Sequence, residues 1–200
     1  MKDTKRITLC GVLIALALAL SYTERFIPLQ MVIPLPGVKL GLANIVTLIA
    51  LYLLGPKYAF AILIPRCIFG AVFGGGITGL LFSLTGGILA MATMTLTRKL
   101  PIFSIYGVSI LGAAAHNVGQ ILAAMVLMHS VYIGAYLPYL LFVALFTGFA
   151  TGAALSAVSK RTTLEVSFII MSAVKRNKIK ILIVHIKIEA HYLFDCKGLI

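Results

Sequence analysis

The chain is poor in acids. Its 200 residues include five carboxylates, Asp3, Glu24, Glu165, Glu189 and Asp195, and no two of them are neighbours in sequence. An Asp-rich motif that would hold Mg²⁺ on a diphosphate is therefore absent. An EF-hand, which needs several oxygen ligands in one loop, is excluded as well. A glycosidase carboxylate pair has no support. Tryptophan is missing altogether, and the eight Tyr and eleven Phe are scattered, so no aromatic cage for a flat ligand stands out. Cysteine is scarce: Cys10 and Cys67 lie in apolar runs and Cys196 near the end, without a CxxC pair or a His at ligand spacing. These read as buried or free thiols, and neither a metal nor a cofactor is expected.

Charge of either sign is also thin, at 11% of residues, while 61% are hydrophobic against roughly 45–50% in a soluble domain. Mean hydropathy is +1.09. So few charges cannot clothe a soluble surface, and the composition specifies an all-α integral membrane protein. The net charge of +12 does not call for nucleic acid, because the basic residues sit at the ends of apolar segments, where membrane topology places them.

Apolar runs long enough for a hydrocarbon core of roughly 30 Å predict about six transmembrane helices: residues 7–22, 38–54, 58–73, 77–96, 102–128 and 138–158. The first is read as an uncleaved span rather than a signal peptide, since five more follow. With the N-terminus inside, Lys2, Lys5, Arg6, Lys57, Arg98, Lys99, Lys160 and Arg161 fall on the inner side, against Arg25 and Lys39 outside. The expected topology is N-in/C-in in a bacterial cytoplasmic membrane. Residues 1–161 form the membrane domain and 162–200 a basic cytoplasmic tail, with its Lys175–Lys180 cluster suited to an anionic leaflet.

Polar groups inside apolar spans are costly and mark function first. Arg66 follows Pro65 near the middle of the third helix, with no acid in any predicted span; its partners are Glu24 folded inward, backbone carbonyls or a ligand. His116, Asn117 and Gln120 share a face at i,i+3 and i,i+4 spacing. Interhelical hydrogen bonding is the structural alternative for that trio. Lys39 and Asn44 lie at the start of the second helix, near the same membrane depth. Together, Lys39, Asn44, Arg66, His116, Asn117 and Gln120 are the candidate binding residues for an anionic or carbonyl-rich small molecule. Gly70/Gly74, Gly75/Gly79 and Gly148/Gly152 have GxxxG spacing, and Gly11, Ala15 and Ala19 form a small-residue stripe on the first helix that offers a seat to another subunit.

Three strings carry a resemblance: Pro36-Gly37-Val38-Lys39-Leu40-Gly41-Leu42-Ala43-Asn44, Ser83-Leu84-Thr85-Gly86-Gly87 and Ala115-His116-Asn117-Val118-Gly119-Gln120, with Arg66 and Gly70 between them. Over about residues 5–160 the chain resembles the Gx transporter family, whose members commonly carry the label heptaprenyl diphosphate synthase component I. That family is similar to the six-helix S components of energy-coupling factor transporters. The resemblance implies a substrate-binding subunit in an S-component-like bundle. Ala15 and Ala19 would dock an energy-coupling transmembrane subunit that works with ATPases. It equally implies a noncatalytic component of a polyprenyl diphosphate synthase beside a separate Asp-rich subunit, or a membrane subunit of a flavin- or quinone-linked electron-transfer complex. The tail after Arg161 has no counterpart in it.

Overall fold

The structure is a computed structural model, and it describes residues 2–26, 39 and 41–175. Six α-helices make up nearly all of it: α1 Lys2–Thr23, α2 Asn44–Leu53, α3 Pro56–Gly70, α4 Gly76–Thr97, α5 Ile105–Leu127 and α6 Leu137–Lys175. Short 3-10 turns follow α1 at Glu24–Phe26 and precede α6 at Val131–Tyr136, and a π turn at Ala71–Gly75 joins α3 to α4. No strand occurs among the described residues.

Five of the helices are long and apolar enough to cross a bilayer. Their exposed surface is itself apolar: Val12 and Leu16 on α1, Ile64 and Ile68 on α3, and Phe142, Phe146 and Phe149 on α6 all face outward. Hydrocarbon is the solvent that tolerates such a surface. The chain is an all-α membrane bundle.

α2 departs from the sequence expectation. The apolar run from residue 38 predicts a full span, but the helix starts only at Asn44 and has ten residues, about 15 Å of rise. Gly41 stops it earlier, with φ of +81°, a left-handed conformation that glycine adopts without strain. The short helix is buried nearly all round, with Val46, Leu48, Ala50 and Leu51 fully enclosed as it packs on α1, α3, α4 and α6. Helix ends leave backbone groups without intrahelical partners, and side chains meet such groups at both ends of α2. Arg98 supplies one, donating from Nη1 to the Leu51 carbonyl while its guanidinium stacks over Tyr52, 4.7 Å from the ring centroid. Glu24 supplies the other, accepting from the Leu42 backbone N–H. A cation at the C-terminus and a carboxylate at the N-terminus both complement the helix dipole.

The other helices differ less. α5 begins at Ile105 rather than residue 102 because Ser104 caps it, its Oγ accepting from the Gly107 N–H at 3.3 Å. α3 continues through Pro65. α6 passes the expected boundary at Arg161 without a break and runs 39 residues to Lys175, about 58 Å. The rest of the expected tail, including most of its basic cluster, lies outside the described residues, as does the Pro36–Gly37 punctuation.

Of the GxxxG spacings, one packs helices. A Cβ at Gly148 would come within 2.6 Å of the Ile110 Cα, and one at Gly152 within 3.2 Å of the Tyr106 Cα, so these glycines seat α6 on α5. A Cβ at Gly70 or Gly79 would meet nothing within 4 Å, so neither of these glycines seats a helix among the described residues.

Candidate functional site

Side chains from five parts of the chain meet around the N-terminus of α2. Lys39 is tied down twice: its backbone N–H donates to Gln120 Oε1 at 3.3 Å, and its Nζ donates to Ser83 Oγ of α4 at 3.3 Å. Gln120 in turn lies 2.8 Å from His116, Nε2 to Nε2, one turn back on α5. This relay fixes the tautomer. Because Oε1 of Gln120 accepts from Lys39, its amide nitrogen faces His116 and donates, so His116 Nε2 accepts and the ring proton resides on Nδ1. Gln120 is fully enclosed and His116 nearly so.

Close helix approach makes room for this arrangement. A Cβ at Gly86 would lie 2.8 Å from His116 Nδ1, and one at Gly119 would lie 2.8 Å from the Gly86 Cα. α4 and α5 thus touch backbone to backbone at Gly86 and Gly119, and the imidazole fills the space a side chain at Gly86 would need. Gly41 belongs to the same pocket, since a Cβ there would come within 3.0 Å of both Asn44 Nδ2 and His116 Cδ2.

Arg66 is the least provided for. It is 6% exposed, yet its Nε and Nη2 have no hydrogen-bond partner among the described residues. Its guanidinium reaches toward α4, where a Cβ at Gly87 would stand 3.4 Å from Nη2. A buried, under-bonded guanidinium is expensive, and an oxyanion is the partner its planar fork fits best. Glu24, 5% exposed, is an acid within electrostatic reach of both Arg66 and Lys39. Burial pushes the Glu24 carboxyl above its ordinary range, against the opposing pull of the Leu42 amide, Arg66 and Lys39.

Asn117 goes elsewhere. Its Nδ2 donates to the Leu140 carbonyl of α6 at 2.7 Å, while its Oδ1 has no partner among the described residues, so its amide joins α5 to α6. Gly11, Ala15 and Ala19 lie together on the exposed face of α1, opposite the buried Leu13 and Ala17. A cavity of about 270 Å³, lined by Leu18, Ala19, Ser21, Tyr22, Gly70 and Phe73, opens between the C-terminal ends of α1 and α3. It adjoins the polar cluster without containing it, since Gly70 is one turn on from Arg66.

A family model described as heptaprenyl diphosphate synthase component I matches residues 13–158. The chain belongs to the heptaprenyl diphosphate synthase component I family. Every residue of the polar cluster lies within the stretch that matches this family, whereas Gly11 and the last 17 residues of α6 fall outside it. No curated protein matches the chain, and no solved structure matches it. For a family named after a synthase, the acid chemistry is sparse: among the described residues no group of three or more His, Cys, Asp or Glu side chains is placed to hold a metal ion.

Two members of the cluster escaped the list of candidates drawn from sequence. Ser83 is one of several hydroxyls in α4, and nothing local marks it as the one that reaches Lys39. Glu24 was foreseen as a possible partner of Arg66, but its seat at the N-terminus of α2 depends on where that helix starts.

Proposed function

We propose that this chain is a noncatalytic, ligand-binding membrane subunit that takes an oxyanion-bearing small molecule into the Arg66 cluster. The observation that carries the reading is the buried guanidinium of Arg66, with two of its nitrogens unpartnered beside Lys39. Membership of the component I family supports a prenyl diphosphate as the ligand, with chain elongation performed by a separate, Asp-rich subunit. The acid-poor sequence suits that division, since prenyl transfer by metal-held diphosphate needs carboxylates that this chain lacks.

A second reading has its own support. Gly11, Ala15 and Ala19 are all exposed on one face of α1, and such a stripe admits close approach of another helix. This fits the substrate-binding subunit of a transporter, S-component-like, with both termini cytoplasmic and a coupling subunit with ATPases docked on α1. Affinity purification from native membranes with identification of the co-purified proteins separates the two. An Asp-rich prenyl synthase supports the first reading; a coupling subunit with paired ATPases supports the second and refutes the first.

A further inference from the structure

The N-terminus of α2 is already occupied by a carboxyl group. Glu24 lies on the turn after α1, folds inward until it is 5% exposed, and accepts from the Leu42 N–H. Arg66 and Lys39 both act on its carboxylate, and the same two cations act on Cys67 and His116. Yet Glu24 leaves Arg66 Nε and Nη2 without hydrogen bonds. Helix N-terminal amides and an arginine fork are the two commonest ways that proteins hold an oxyanion. Here they stand around one carboxylate that satisfies only the first of them.

We propose that the Glu24 carboxylate is an internal stand-in for the ligand, and that the oxyanion of an incoming carboxylate or phosphate ester displaces it from the N-terminus of α2 while engaging Arg66. This rests on the oxyanion-binding reading above and adds to it a mechanism of exchange. The displaced carboxylate either reaches solvent as the anion or takes up a proton from water. Entry of a ligand anion is therefore favoured when Glu24 is protonated. The site charge follows directly: Arg66 and Lys39 contribute two positive charges, and an ionised Glu24 cancels one of them. Lys39 and Arg66 are the charged groups that act on Glu24, and the same two act on Cys67 of α3 and His116 of α5.

The test uses the full chain in detergent, with saturable thermal stabilisation by sulfate or acetate as the readout. Sulfate stands for a phosphate group and keeps its charge as Glu24 titrates; acetate stands for a carboxylate, and the anion that binds more tightly assigns the ligand class. Arg66→Gln supplies the nonspecific salt response. Glu24→Gln keeps an oxygen for the Leu42 N–H but removes the charge. It should bind the preferred anion on the order of tenfold more tightly, the effect of one unit charge at ~10 Å in an effective dielectric of about 20. In the unaltered chain, binding of sulfate should tighten as pH falls through the raised titration of Glu24, as protonation neutralises the competitor. In Glu24→Gln that dependence should vanish. The pH series on the unaltered chain carries the same test without a substitution. Arg66-dependent binding that Glu24→Gln leaves unchanged or weakens, with no pH dependence in the parent, overturns the displacement and leaves the site. No Arg66-dependent response to either anion in any chain overturns both.

Discussion

Replacing Gly119 by alanine probes the joint between α4 and α5. The added methyl would sit 2.8 Å from the Gly86 Cα and 2.8 Å from the Thr85 carbonyl oxygen, where carbon contacts normally settle at about 3.5–4.0 Å. Both obstacles are backbone, so no side chain can swing aside, and the two helices must separate by about 1 Å. Overpacking of this kind costs roughly 1–3 kcal/mol. For a chain of this size that lowers the melting temperature by roughly 3–10 °C. His116 and Gln120 flank Gly119, so the Lys39–Gln120 hydrogen bond, already 3.3 Å long, would pass the usual limit and open. Gly79 on α4 is the matched control. A Cβ there meets nothing within 4 Å, and in a helix interior alanine is favoured over glycine by roughly 0.5–1 kcal/mol. Circular-dichroism melting of Gly119→Ala and Gly79→Ala in the same detergent should therefore move in opposite directions. If Gly119→Ala melts within a degree of the parent, the backbone contact does not exist and the site geometry built on it fails.

Other substitutions bear on separate parts of the structure. Gln120→Leu removes the relay between Lys39 and His116, taking one partner from each, and should destabilise by about 1–3 kcal/mol, read in the same melts. Arg98→Ala strips the cation from the C-terminus of α2 and should cost about 2 kcal/mol or more, whereas Arg98→Lys should recover part of that while losing the stacking on Tyr52. Asn117→Leu, which loses the bond to the Leu140 carbonyl, should lower stability by about 1–2 kcal/mol without altering anion binding. An Asn117 variant that is stable but binds no ligand would instead return this residue to the binding site.

Most helices were legible because an apolar run of membrane length admits few other structures. α2 was not. Residues 43–51 are apolar because protein encloses them, and apolarity reports burial without specifying how much of the segment is helical. The local sign was Gly41, three residues before the true start, but a glycine is also tolerated within a membrane helix. Site residues were legible where cost marked them. Arg66, His116 and Gln120 stood out because a buried ionisable or amide group in an apolar span demands a partner. Asn117 shares the spacing of that trio yet bonds to α6, because a step of one residue turns the helix by about 100°. Gly86, Gly87 and Gly119 lie in the strings that carry the family resemblance, but each matters for what faces it on another helix, which only the packed structure supplies.

The central claim is that Arg66 holds the oxyanion of a small molecule. Its most direct test is purification of the unaltered chain and of Arg66→Gln from native membranes in mild detergent, followed by native mass spectrometry of each protein with whatever it retains. The account predicts that both insert and purify alike, that the parent carries an anionic small molecule in near-stoichiometric amount, and that Arg66→Gln has lost it. An equal amount of the same molecule on both proteins would contradict the claim.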